Sequence, residues 1–203
     1  MDRKQHWDTV YTTKAATEVS WFQDNPALSL DLIDQSGMPK TAALVDIGGG
    51  ASRLVDTLLA QNYSDVTVLD IAEPALAASK ARLGDQAQRV HWIAADITHW
   101  QPARHYAMWH DRAVFHFLTD AADRDAYRRA LLAGTASGSQ IVIASFAPDG
   151  PERCSGLPVM RYAPESLLTE LGAEFALRDA RREEHHTPGG SIQRFQYSCL
   201  LRR

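Results

Sequence analysis

At 203 residues the chain is long enough to bury one proper core and too short for a cofactor domain plus a separate, full substrate domain. A formal net charge of -4, with basic residues scattered rather than striped, argues against a nucleic-acid partner. No run of about 18 apolar residues is present and the start, "MDRKQHWDTVYTTK", lacks a signal peptide's apolar segment, so a soluble, cytoplasmic protein without a membrane partner is expected. The two cysteines, Cys154 and Cys199, stand far apart without metal-ligand spacing, and neither a disulfide framework nor a cysteine zinc site is expected.

In chain order, residues 1–40 read as an N-terminal helical cap and residues 41–203 as a core, together one domain. In the cap, Trp7 and Tyr11 lie four apart on one helical face, with Trp21 and Phe22 following. The core opens on "AALVDIGGGASRLVDTLLAQ" (42–61), a strand over Ala42 to Val45, a turn at Gly48, Gly49 and Gly50, and a helix burying Leu54, Val55, Leu58 and Leu59. Consecutive glycines admit positive φ and let a ligand approach the backbone, while a new helix offers unpaired N–H groups to an anion.

Strands and helices then alternate: "VTVLD" (66–70), a helix from Pro74, "VHWIAAD" (90–96), "YAMWHD" (106–111), a helix over 122–133, and "SQIVIASF" (139–146). This rhythm predicts a parallel sheet with helices on both faces. A linker-like stretch, "APDGPERCSGLP" (147–158), precedes a helix opening at Pro164 and stopped by Gly172. "EFALRDARREEH" and "SIQRFQYSCLLRR", joined by "HTPGG", read as a closing antiparallel pair.

The turn does not complete the dinucleotide fingerprint, whose third glycine is replaced by Arg53. Asp46, two residues before the first glycine, would repel a doubly negative pyrophosphate and attract a ligand carrying an ammonium and a sulfonium. Asp70 ends the second strand, where ribose hydroxyls are held, and Asp96 ends the third, where an adenine amino group could donate. Three acids at the carboxyl ends of three successive strands stand where open α/β sheets bind ligands.

The set "LVDIGGGAS", "VTVLDIAEPAL", "WIAADI" and "MWHDRAVFHFL", followed by the late antiparallel pair, resembles a small single-domain class I S-adenosylmethionine-dependent methyltransferase from about Ala42 onward. The resemblance implies a doubly wound, mostly parallel seven-stranded sheet with helices on both faces and a C-terminal antiparallel strand. It also implies S-adenosyl-L-methionine as cofactor, with Asp46, Gly48, Gly49 and Gly50 in the first motif, Asp70 and Ile71 at the ribose, Asp96 and Ile97 at the adenine, and the His110 backbone nearby. Two departures stand out: Ser52 replaces a frequent third glycine, and Ala107 occupies the place of a common fourth-strand acid.

Family membership leaves the acceptor open, a small molecule or a protein side chain, with oxygen, nitrogen, sulfur and metalloid nucleophiles indistinguishable. A non-catalytic S-adenosylmethionine-binding module and an NAD-dependent oxidoreductase are the alternatives. For the acceptor side, Trp7, Tyr11 and Trp21 are candidate substrate contacts or a lid. His116, after the fourth strand, and His185, at the end of the sixth, are candidate bases, with His186 and Tyr162 beside them. A metal site built from Cys154 and these histidines lacks helical ligand spacing and is not expected.

Overall fold

The computed structural model describes residues 2–203. Helices α1 (Arg3–Thr13) and α2 (Ala27–Gln35) precede the sheet. Then follow β1 (Leu44–Ile47), α3 (Leu54–Ala60), β2 (Val66–Asp70), α4 (Glu73–Leu83), β3 (Val90–Ala94), β4 (Met108–Arg112), α5 (Ala121–Ala133) and β5 (Gln140–Phe146). The stretch read as a linker instead carries a short hairpin, β6 (Arg153–Cys154) with β7 (Leu157–Pro158). Helix α6 (Pro164–Leu171) and the long strands β8 (Phe175–His186) and β9 (Ile192–Arg202) complete the chain.

The seven-stranded sheet has the order β3-β2-β1-β4-β5-β9-β8. Strands β1 to β5 pair in parallel, and β9 runs antiparallel to both β5 and β8. Strand β8 is therefore parallel to β5, and β9 alone is reversed. The carboxyl ends of β1, β2, β3, β4, β5 and β8 share one edge. Strand order changes direction between β1 and β4, the crevice where such sheets bind ligands.

Alternation along the strands splits the core in two. Leu44, Val66, Val68, Met108, Val142 and Phe146 pack on one face beneath α2, α3 and α4. Val45, Ile47, Leu69, Trp109, Ile141 and Ile143 pack on the other beneath α5 and α6. These strands, covered on both sides, read as continuous apolar runs, as parallel strands should.

The strands expected from Ala42 and from 106 begin two residues later, at Leu44 and Met108, and each reaches one residue or more further toward the ligand edge. Local apolarity marked the runs, but pairing partners decide their ends. One consequence corrects the sequence reading of Ala107. It sits before β4, its N–H donating to the Ala43 carbonyl at 2.8 Å, at the end of the sheet away from the glycine turn. Its missing carboxylate takes nothing from the site; β4 reaches the edge with Asp111 and Arg112.

Candidate active site

The polar floor follows from strand register. Asp46 on β1 lies opposite His110 on β4, and side chains at paired positions of parallel strands point to one face. Asp46 Oδ1 and His110 Nδ1 are 2.7 Å apart, and His110 Nε2 is 2.9 Å from Ser29 Oγ on the covering helix α2. All three residues are buried. The His110 ring is therefore held within the protein, between Asp46 and Ser29. This chain fixes one oxygen of Asp46; the other, Oδ2, is buried without a hydrogen-bond partner.

Gly48 adopts a positive φ of 69°, and its N–H donates to the Leu69 carbonyl at 2.7 Å, turning the chain from β1 across the end of β2. At the next two positions space rather than φ demands glycine. A Cβ on Gly49 would collide with the Asp46 carboxylate, and one on Gly50 would collide with that of Asp70 and stand 2.7 Å from the Ala75 methyl. The backbone thus runs tight against both acids and leaves the space above them open.

Asp70 ends β2, buried, its Oδ1 accepting from the Ala72 N–H at 2.8 Å. Burial pushes its carboxyl up to about 7; hydrogen bonds from the Ala72 and Gly50 backbones oppose the shift, and the nearby Asp46 adds to it. Asp96 behaves in the opposite way. Burial alone would raise it, but hydrogen bonds from Thr98 and the Arg3 guanidinium outweigh that and hold it below the usual carboxylate range. Arg3 Nη1 lies 3.0 Å from Asp96 Oδ2, and its other nitrogen pairs with Asp123 on α5. Helix α1 is thereby tied across the end of β3.

Above this floor lies a cleft that opens to solvent. Ile47, Gly48, Asp70, Ile71, Asp96 and Ile97 border it from below, and Trp7, Tyr11, Trp21 and Phe117 wall it. A second lobe reaches Asp46, Gly49, Ser29 and His110, sharing Tyr11, Trp21, Gly48 and Arg112 with the first. Gly50 packs against Asp70 and Ala75 without bordering either lobe, while Gly48 and Gly49 of the turn, the three acids, both isoleucines, His110 and the aromatics of the cap are brought together here.

Four others are not. His116 lies on a short 3-10 turn (Phe115–Phe117), completely buried, its Nδ1 accepting from the Phe146 N–H at 3.3 Å. Its ring packs on Phe117 and Phe146, and burial with the Arg112 charge lowers it to about 3. His185 does reach the ligand edge on β8, but its Nε2 donates to the Ser20 carbonyl at 2.7 Å, so it buttresses the cap's connection. Burial, then Arg112, lowers its pKa. His186 is exposed at the strand end. Tyr162 is buried against Phe115. None of the four borders the cleft, because alternation and the 3-10 turn direct their side chains elsewhere. Among the described residues, no group of three or more histidine, cysteine, aspartate or glutamate side chains is placed to hold a metal ion.

Sequence reasoning missed Arg3, Ser29, Arg112 and Phe117. Arg112 follows "WHD" directly and could have been found as a strand-end residue. It is fixed by Tyr197 Oη at 2.9 Å and the Trp21 carbonyl at 3.0 Å, and its plane lies 4.3 Å from the Phe195 ring centre. Ser29 carries no sequence signal, since its role depends on how α2 packs over β4.

Residues 44–133 match the model of a family described as "Methyltransferase domain". Over β1 to α5, which carry the glycine turn, Asp46, Asp70 and Asp96, the chain is thus similar to a methyltransferase domain. Solved methyltransferases share its fold across nearly the whole length. A SAM-dependent methyltransferase from Anabaena variabilis is 13% identical with a TM-score of 0.78, covering 100% of this chain and 96% of its own. The 1,6-didemethyltoxoflavin-N1-methyltransferase of Burkholderia thailandensis is 21% identical with a TM-score of 0.70, covering 98% and 83%. The N-methyltransferase NodS of Bradyrhizobium japonicum is 19% identical with a TM-score of 0.67, covering 88% and 98%. No curated protein matches the chain in sequence. The expected seven-stranded sheet with its one reversed strand is the fold observed.

Proposed function

We propose that this protein is an S-adenosylmethionine-dependent methyltransferase acting on a small molecule held between the sheet edge and helix α1, and that Asp46, the glycine turn, Asp70 and Asp96 hold the methyl donor. The observation that carries the donor assignment is the second oxygen of Asp46, buried and without a partner. A buried carboxylate oxygen left so is costly, and a ligand ammonium would satisfy it. When bound, S-adenosylmethionine supplies a methyl carbon already activated by its sulfonium. The rest falls to the protein's residues. Gly49 and Gly50 allow close approach, Asp70 accepts from ribose hydroxyls, and Ile71 and Ile97 sandwich the apolar base whose amino group shares Asp96 with Arg3.

An in-line displacement at an activated carbon chiefly requires nucleophile and methyl to be aligned at about 3 to 3.5 Å. The aromatic wall and the clamped helix supply alignment and keep water out. Neither His116 nor His185 receives a proton-transfer role, since each ring is committed to backbone outside the cleft. Trp7, Tyr11 and Trp21 keep the substrate-contact role expected of them. We take residues 1–40 as the cap and 41–203 as the core of one domain. Two unpaired cysteines suit a reducing compartment, and we place the protein in the cytoplasm. Among the described residues, no helix is long and apolar enough to cross a membrane.

The reading is tested with donor carrying a labelled methyl, incubated with the protein and a cell extract separated into small-molecule and protein fractions. Label entering the small-molecule fraction supports it. Label confined to protein would turn the acceptor assignment around.

A further inference from the structure

We infer that the acceptor is a flat, uncharged small molecule whose accepting atom presents a free lone pair at neutral pH, as a heteroaromatic ring nitrogen does. The inference rests on the methyltransferase reading above and narrows it to a class of substrate.

Shape is the first ground. Trp7 stands edge-on to Trp21, with ring centres 5.6 Å apart at 84°, and to Phe117, 5.0 Å apart at 76°. Tyr11 meets Trp21 at 76°. Rings locked at near-right angles give a slot with flat faces and apolar edges, which favours offset or edge-on contact with another ring. Val114 and Leu118 continue the apolar lining.

Enclosure is the second. Helix α1 is fastened to Asp96 through Arg3, Tyr11 accepts from Trp21 Nε1 at 3.2 Å, and His6 Nε2 lies 3.3 Å from Ser155 Oγ in the β6–β7 hairpin. A side chain still attached to a folded protein would have to displace this fastened helix. A free molecule would only have to slip beneath it.

Charge is the third. The acids lie on the donor's floor, Asp46 and Asp70, and Asp96 is already paired with Arg3. The Arg112 guanidinium, which borders both lobes, is paired with Glu183 at 3.4 Å. The acceptor's part of the cleft therefore offers a charged ring no free counter-charge, which favours a neutral one.

The fourth ground is proton chemistry. The other titratable groups bordering the cleft are Tyr11 and Cys154; burial raises both, the cysteine to about 11. His110 borders the second lobe with both ring nitrogens held by Asp46 and Ser29, Asp70 is assigned to the ribose, and the other histidines border neither lobe. A nucleophile that had to shed a proton would find no acceptor for it among these side chains, whereas a free lone pair needs none. In the step, the nitrogen pair forms the N–CH3 bond as the S–CH3 bond breaks, and that bond's electrons pass to sulfur. The neutral ring nitrogen ends as a cation, and no proton moves.

The experiment uses calorimetry on the whole protein, first titrated with S-adenosylhomocysteine and then, when saturated, with quinoline or with decahydroquinoline, which has the same skeleton but is puckered and protonated. Absence of S-adenosylhomocysteine binding would count against the methyltransferase reading itself. With it bound, quinoline should bind saturably and decahydroquinoline at least tenfold more weakly. Phe117→Leu and Trp7→Ala should each weaken quinoline tenfold or more, and Trp7→Phe should restore most of the loss. S-adenosylhomocysteine binding by each variant serves as the check that the fold is intact, and a variant that fails it is replaced by the other. If S-adenosylhomocysteine binds while quinoline does not, if the two probes bind equally, or if an intact variant binds quinoline as the parent does, the inference is overturned.

Discussion

Replacing Asp70 by asparagine separates what this acid costs the fold from what it gives the site. Burial raises its carboxyl from an ordinary 3.8 to about 7, so the native protein ionises Asp70 less readily than the unfolded chain does. Below about pH 4 both states hold the proton and there is no difference. Between about pH 4 and 7 the unfolded state loses it first, and stability falls as pH rises; above about 7 the whole penalty is present. About 3 pH units at ~1.4 kcal/mol each comes to about 4 kcal/mol. Asp70→Asn removes that penalty while keeping an oxygen for the Ala72 N–H. For a chain of this size, about 1 kcal/mol moves Tm by roughly 2 to 4 °C. Thermal melts of the ligand-free protein should therefore show the variant several degrees above the parent at about pH 8, and the gap should shrink greatly at about pH 5. Affinity for S-adenosylhomocysteine should run the other way. Ribose hydroxyls favour the ionised carboxylate, so the parent should bind more tightly as pH rises through about 7 and the variant should lose that dependence. A melting gap that is the same at both pH values would refute the burial argument, and an unchanged affinity would remove Asp70 from the ribose.

Arg3→Ala should leave Tm almost unchanged, because part-exposed ion pairs contribute only about 0.2 to 1 kcal/mol. It should nonetheless speed hydrogen exchange over residues 3–13 in the free protein and raise the on-rate for S-adenosylhomocysteine; equal exchange in parent and variant would show that Arg3 does not fasten the helix. Gly50→Ala puts a methyl against Asp70 and Ala75 and should weaken S-adenosylhomocysteine at least tenfold, which the same calorimetry reads, while unaltered affinity would mean that the turn does not approach the ligand. Ser29→Ala strands the His110 ring and should cost about 1 to 3 kcal/mol in denaturant unfolding; a loss well under 1 kcal/mol would mean that the buried chain from Ser29 to Asp46 is not what orders the floor.

What the sequence reveals is what local chemistry encodes. The glycine turn and the acids at 46, 70 and 96 announce themselves because tight turns demand glycine and strand ends bring acids to one edge. His185, expected at the end of a late strand, does stand at the ligand edge, where β8 ends. Its place in the sequence could not say which way the ring turns, and Ser20, from a loop distant in sequence, claims it. His116 illustrates the same limit, because a 3-10 turn after β4 drives it into the core while Phe117 takes the wall. Ser29 and Arg3 were invisible for the complementary reason. Each acts through an element, α2 or α1, whose placement is set by tertiary packing rather than by its own pattern.

The central claim is that Asp46, with its unpartnered oxygen beside the glycine turn, receives the ammonium of the methyl donor. Calorimetric titration of S-adenosylhomocysteine into the parent and into Asp46→Asn, with NAD as the comparison ligand, tests it directly. The account predicts saturable one-site binding by the parent, a loss of tenfold or more in the variant, and no binding of NAD. Equal affinity in parent and variant, or saturable binding of NAD in place of S-adenosylhomocysteine, would contradict it.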